Sequence, residues 1–460
     1  MPVSVRQPLL RRQIDWRDPL AAFASVADQP FAYLRRDPAA GRAAILLDPV
    51  ERLEIAAPTP ALFARLRAFA APLDGWDADA GADWPGGGLV AALSYEAGLV
   101  GQGLAAPAEV AWPAMMAALY DQAICFDGGT KVAWAQIWVR PGETGDQAQA
   151  RLAALSARLT ASRLHDAQTP PIGQWREMES DEAIARLVET ARARIEAGDF
   201  YQLNLSRLYS GTLAAPGDPF ALFAQLADQA GAFSAFWRWG DRALLSISPE
   251  MLLSVRPEAS WLIARTRPIK GTRPRGADPR LDAQMRAELL ASEKEQAENR
   301  MIVDLMRNDL ARVAAPGGVS VPRLFDIETL PYVHHLVSEV RAQLRGAADA
   351  LDALEASFPA GSITGAPKRA AMQAIADVEA AERGPFCGSL VWLSPGQQLD
   401  ASVLIRTASA HRQANGAWRL GLRVGAGIVA DSDPLAEAVE MRVKAGPFLN
   451  GLAPQKDGQC

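Results

Sequence analysis

The apolar residues of this 460-residue chain come in short runs, each closed by turn residues, and that pattern constrains the fold more than any other feature. FAYLRRD (31–37), AAILLDP (43–49), GLVAALSYEAG (88–98) and KVAWAQIWV (131–139) read as strands separated by Pro, Gly and Asp clusters. The same punctuation continues downstream in FYQLNLSRLYSG (200–211), VSEVRAQL (337–344), GSLVWLS (388–394), ASVLIRTASAHR (401–412) and WRLGLRVGAGIV (418–429). RALLSISPEMLLSVR (242–256) reads as a strand with a break at Pro249. A membrane span needs about 20 consecutive apolar residues, and no run approaches that.

Helical periodicity fills the intervals. Helices are expected over about 146–163, from Ser180 to Gly198, over about 281–313 and from Asp433-Pro434 onward. In the second of these, Ser180 suits the cap, Asp181 and Glu182 the first turn, and Ile184, Leu187, Val188, Ala191 and Ile195 share one face. The mixture predicts an α+β fold with many antiparallel strands. QTPPIGQW (168–175) is the strongest breaker, so it divides an N-terminal lobe (1–170) from a main region (175–450), with a tail at 451–460.

With 49% apolar and 22% charged residues, the chain has the composition of a globular protein with a sizeable core. Lys and Arg number 47 against 53 Asp and Glu, a net charge of −6, which argues against a general nucleic-acid binder and leaves small anionic substrates open. Three scattered cysteines (Cys125, Cys387, Cys460), four histidines and no CxxC or HExxH exclude a disulfide framework and a thiolate or histidine metal centre. The N-terminus, MPVSVRQPLLRRQIDWRDP, lacks the apolar stretch of a secretory signal. A reducing cytoplasm is the default expectation, with neither a membrane nor nucleic acid as partner.

Several segments can carry chemistry. In RPIKGTRPRG (267–276), Lys270 reads either as a solvated lysine in a basic turn or as an amine nucleophile, with Arg267, Arg273 and Arg275 as cationic neighbours. Glu298 stands one turn before the stripe Met301, Ile302, Leu305, Met306 and Leu310; Glu437 and Glu440 share a face of the last helix. Magnesium favours one or two carboxylates completed by water and substrate oxygens, so glutamates from two helices meeting at an anion suit it. An ion pair between Glu440 and Lys444 explains the second helix equally well. GSITGAPKRAAM (361–372) and VGAGIV (424–429) suit anions as well as ordinary turns, and Arg406 can grip a carboxylate or serve a surface ion pair.

Together PIKGTRPRG, AENRMIVDLMRNDLARV, YVHHLVSEV, FPAGSITGAPKRAAM, CGS, IRT and GAGIVADSDPLAEAVEMRVKA resemble, in order, the motifs of the chorismate-utilising enzymes. That family includes anthranilate, aminodeoxychorismate, isochorismate and salicylate synthases. The resemblance is strong over about 180–446 and weaker before, where SYEAG (94–98) matches best. It implies the family's two-lobed fold, with large, mostly antiparallel sheets flanked by helices.

Single positions point to a branch. Anthranilate synthases resemble PIAGT where this chain has PIKGT; Lys270 is similar to the aminodeoxychorismate branch. Gln202 stands where the water-adding members carry a lysine base, so amine addition is implied. The resemblance assigns Lys270 as nucleophile at C2 of chorismate, Glu250 as the acid for the departing C4 hydroxyl, and His335 beside the ring. Gln202, Thr272, Arg406, Gly425, Ala426, Gly427 and Lys444 are implied to bind substrate, and Glu298, Glu440 and Glu437 to hold Mg2+. His334 is read as structural. The implied reaction takes chorismate and ammonia to 4-amino-4-deoxychorismate. No cysteine stands in a glutaminase elbow, so a separate glutamine amidotransferase subunit is implied; only about a dozen residues follow the last motif, so no fused lyase is expected. The rivals are anthranilate synthase component I and a non-catalytic chorismate binder; retention of Glu250, Lys270, Glu298, Glu437 and Glu440 counts against the latter. Residues Arg256–Ala259 look like a lengthened hairpin that moves a turn rather than the site.

Overall fold

The computed structural model describes residues 7–78, 86–107, 110–159, 171–330 and 333–453. Two antiparallel sheets dominate it. A 12-stranded sheet runs in the order Leu9–Ile14, Val132–Trp138, Gln122–Asp127, Arg42–Leu46, Tyr33–Asp37, Phe233–Trp239, Arg242–Ser248, Thr407–Arg412, Trp418–Ile428, Gln202–Leu213 and Gly365–Ala366, with Gly173–Glu177 beside Gln202–Leu213. A 10-stranded sheet runs Ile269–Pro274, Val333–Leu344, Trp261–Thr266, Met251–Glu258, Gln398–Val403, Ser389–Ser394, Gly88–Leu93, Met115–Tyr120 and Glu51–Ile55, with Ala314–Thr329 on Val333–Leu344.

Strands from before residue 140 make one side of each sheet, five of twelve and three of ten, and strands from after residue 170 make the other. The halves are stitched by backbone ladders, Tyr33–Asp37 on Phe233–Trp239 and Gly88–Leu93 on Ser389–Ser394. Between the sheets lies an apolar layer including Tyr33, Leu46, Val90, Met116, Trp237 and Trp392. Arg35 crosses it to Asp400 at 3.0 Å, with both side chains buried. The helices Asp181–Glu196 and Pro434–Leu449 pack together, and Trp175 Nε1 donates to the carbonyl of Phe448.

The alternating patterns appear where the sequence places them, with informative differences. GLVAALSYEAG is a strand only to Leu93; Tyr95–Gly101 is a helix opening after Ser94. The acidic stretch 281–313 is two helices, Pro279–Ala291 and Glu293–Ala311, because Ser292 ends one with extended backbone and caps the next. ASVLIRTASAHR is two strands broken over residues 404–406. The first helix ends at Arg158, and the breaker at 168–170, the tail beyond 453 and Cys460 lie outside the described residues. Leu9–Ile14, Glu51–Ile55, Met115–Tyr120, Gln122–Asp127 and Ala314–Thr329 were not anticipated. Ala314–Thr329 is broken by register shifts and carries Gly317, Gly318 and Pro322, so it lacks the period-2 signal. Met115–Tyr120 is buried throughout, which erases alternation.

Candidate active site

Two chain crossings between the sheets build one wall. Pro249 ends the strand Arg242–Ser248, and Glu250 sits in the crossing before Met251–Glu258 begins in the other sheet. The second crossing, from Gln398–Val403 to Thr407–Arg412, contains Arg406 in a left-handed conformation (φ 48°). The crossings are tied side by side: Val403 N donates to Glu250 O at 3.0 Å, and Ile247 N to Arg406 O at 3.0 Å. An acid and a cation far apart in sequence therefore open onto one cavity.

That cavity, of about 590 Å³, is lined by both sheets, the helices Glu293–Ala311 and Pro434–Leu449, and the turn carrying Ser362. Its size is that of a small-molecule site. Lys270 comes from the edge strand Ile269–Pro274, where a bulge at Gly271 shifts the register between Lys270 and Thr272. Gly271 has φ +75°, and a Cβ there would meet Leu289 Cδ1 at 2.8 Å and Glu295 Oε2 at 2.9 Å, so only glycine fits.

Glu250 is buried, and desolvation raises its pKa; a hydrogen bond from Ser362 Oγ (2.6 Å) and the charges of Lys270 and Lys444 oppose that shift without cancelling it. The result is a carboxyl biased toward its protonated, donating form. Lys270 Nζ stands 3.8 Å from Glu298 Oε2. Arg406 lines the cavity, forms no ion pair among the described residues, and is desolvated enough that burial disfavours its charge. An unpaired arginine at such a depth is a natural seat for a carboxylate.

Glu298, Glu437 and Glu440 line the same cavity, from two helices. Burial raises the pKa of Glu298 and of Glu437, and the charge of Glu440 adds to both shifts. Glu437 accepts from Ser432 Oγ at 2.7 Å, and Glu440 pairs with Lys444 at 2.6 Å. Mutually repelling carboxylates with oxygen-only donors fit the chemistry of a hard divalent cation. Among the described residues, no three His, Cys, Asp or Glu side chains cluster closely enough to enclose a metal. A cation here would need oxygens from a bound ligand.

Lys270, Glu250, Thr272, Arg406, Gly425, Gly427, Lys444, Glu298, Glu437 and Glu440 thus face a common space. Three expected residues stand back from it. His335 is behind Thr272, whose Oγ1 is 2.9 Å from His335 Nδ1; burial, then the charge of Arg406, lowers its pKa and keeps it neutral at physiological pH. Ala426 is buried between the two lining glycines. Gln202 is fully buried beneath Gly427. His334 is buried, bonded to Asp282 and Thr329. The helix after Pro367 offers no anion seat: its first residue, Lys368, is buried against Asp309 at 2.6 Å. In the hairpin at Arg256–Ala259, Glu258 pairs with Arg265 and Arg341, and Glu250 and Lys270 both line the cavity.

Sequence reasoning missed Asn204, Ser362, Lys294 and Glu295, all cavity-lining. Asn204 was discoverable: in an alternating strand it points the same way as Gln202.

The fold and the cavity are those of a chorismate-binding enzyme. Residues 29–450 match the family model described as chorismate binding enzyme, and the chain belongs to that family. Among curated relatives it is 40% identical to aminodeoxychorismate synthase component 1 of Klebsiella aerogenes, over 80% of this chain and 77% of that one. It is 45% identical to the protein of the same name from Salmonella typhimurium, over 57% of this chain and 55% of that one. Of solved structures, anthranilate synthase component I from Streptococcus pneumoniae TIGR4 superposes with a TM-score of 0.76 at 26% identity, covering 89% of this chain and 92% of that one.

Proposed function

We propose that this chain converts chorismate and ammonia to 4-amino-4-deoxychorismate through a covalent lysine adduct. The carrying observation is that Lys270 and the buried, proton-retaining carboxyl of Glu250 open onto one cavity together with the unpaired Arg406. The names of the relatives above support the same reading.

Chorismate is a cyclic diene, so a nucleophile adding at C2 shifts the double bond as the C4 hydroxyl departs. The Lys270 amine forms the C2–N bond, and Glu250 gives its proton to the leaving oxygen, which departs as water. Ammonia then bonds at C4, the double bond shifts back, and the C2–N bond breaks to free the Lys270 amine. The Glu250 carboxylate regains a proton from the next ammonium ion. Arg406 and the Gly425–Gly427 backbone hold the substrate carboxylates, and Thr272, braced by His335, borders the ring. Gln202 supports that floor from below. Mg2+ held by Glu298 and Glu440, with Glu437 beside them, would neutralise and orient a substrate carboxylate.

Ammonia comes from a separate glutamine amidotransferase subunit, in keeping with the component 1 names of the relatives. A cytoplasmic setting suits the buried free thiols of Cys125 and Cys387; among the described residues no helix is long and apolar enough to cross a membrane. The division into a lobe of residues 1–170 and a region of residues 175–450 follows the chemistry, since every cavity-lining residue lies after residue 200.

The test is incubation of the purified chain with chorismate, magnesium and ammonium, with product identified by mass spectrometry. Aminodeoxychorismate, abolished or diverted to anthranilate by Lys270→Ala, is the expected result. Anthranilate from the unaltered chain would overturn the C4 assignment.

A further inference from the structure

Asn204 and Gln202 are two carboxamides on one face of the strand Gln202–Leu213, 8% and 0% exposed. Among the described residues, Asn204 Oδ1 and both polar atoms of Gln202 have no hydrogen-bond partner. Buried amides without partners are rare, and a built site is one standing explanation.

The neighbouring strand supplies the reason they reach the cavity. Gly427 lies opposite Asn204, and Gly425 opposite Ser206. A Cβ on Gly425 would stand 2.7 Å from Asn204 Oδ1 and 3.1 Å from Phe386 Cζ. A Cβ on Gly427 would stand 2.9 Å from Gln202 Nε2 and 3.5 Å from Lys270 Nζ. The two missing side chains leave a notch in which both carboxamides and the Lys270 amine converge. Phe386 closes one side, and Glu250 lines the same cavity.

We propose that this notch binds the incoming ammonia, with the Asn204 side-chain oxygen as its acceptor. The inference rests on the amination reading and names the seat of its second substrate. Ammonia has three N–H donors and one lone pair, and chorismate carries mainly acceptors. The Asn204 oxygen would take one N–H group and leave the lone pair free to attack. That oxygen carries no charge, so the site does not trap ammonium in preference to the reactive free base. Arg383 fixes the strand here by donating to the Asn204 backbone carbonyl at 2.6 Å, so side-chain changes leave that anchor in place.

The test is steady-state kinetics of the full chain with ammonium chloride as nitrogen source, for Asn204→Ala and Asn204→Ser, with thermal unfolding recorded for each. Asn204→Ala should raise the ammonium KM about tenfold, the loss of one hydrogen bond. Its chorismate KM should stay within about twofold and its kcat at saturating ammonium should be largely retained. Asn204→Ser, which keeps an acceptor, should recover part of the loss and serves alone if the alanine variant does not fold. A rise in chorismate KM with ammonium KM unchanged would overturn the proposal in favour of a substrate-hydroxyl contact. A lower melting temperature with both constants unchanged would overturn it in favour of a structural role. Product identity reports separately on the amination reading, because anthranilate formation also consumes ammonia.

Discussion

Glu250 shows how burial turns an ordinary carboxyl into an acid. Its folded pKa is raised above the ordinary 4.5, chiefly by desolvation. The folded state therefore holds a proton that the unfolded chain releases between 4.5 and the raised value, and stability from this group is complete below 4.5 and lost as pH rises through the folded pKa. Glu250→Gln cannot titrate, so its melting temperature should gain on the parent as pH goes from acid to neutral. Its turnover should fall by about 10²–10⁴, the usual worth of a general acid. Melting curves across pH, read beside the rates, check both; a parallel pH dependence in the two proteins would contradict the buried-acid reading. The family resemblance assigns this role to Glu250, but its physical basis is not legible in the sequence. The burial comes from segments far apart in sequence that meet at the cavity.

At the scale of elements, the helix Glu293–Ala311 links site to core. Glu298 near its start faces the cavity, and Asp309 near its end pairs with Lys368 at 2.6 Å, both side chains under a tenth exposed. Burial raises the pKa of Asp309 and lowers that of Lys368, and their mutual attraction holds the pair together. Asp309→Ala would strand a buried ammonium and should cost about 3–5 kcal/mol in urea unfolding. Asp309→Leu with Lys368→Met should recover most of that loss; a single variant as stable as the parent would refute the pairing. The amphipathic stripe of this helix was readable because spacing alone sets it. Its partner was not, since Lys368 sits in a segment whose sequence equally suits an anion-binding helix start. Only the packing shows that its ammonium points inward.

At the scale of the whole molecule, each sheet joins strands from before residue 140, five of twelve in one and three of ten in the other, to strands from after residue 170. A fragment spanning 175–453 would expose Phe233–Trp239 and Ser389–Ser394 as unpaired edges and uncover Trp237 and Trp392. It should fail to give a monomeric, cooperatively melting protein, whereas the full chain should melt in one transition; scanning calorimetry with light scattering checks both. The sequence by itself determined the α+β class, most strands and helix starts, and the residue types for the chemistry, because periodicity, capping and turn preference act over a few neighbours. Tertiary structure alone decided which strands share a sheet, that Pro249 and Leu404–Arg406 mark crossings between sheets, and that Asn204 Oδ1 lacks a partner among the described residues beside two glycines. Those outcomes depend on burial and pairing between residues hundreds of positions apart, where local pattern carries no information.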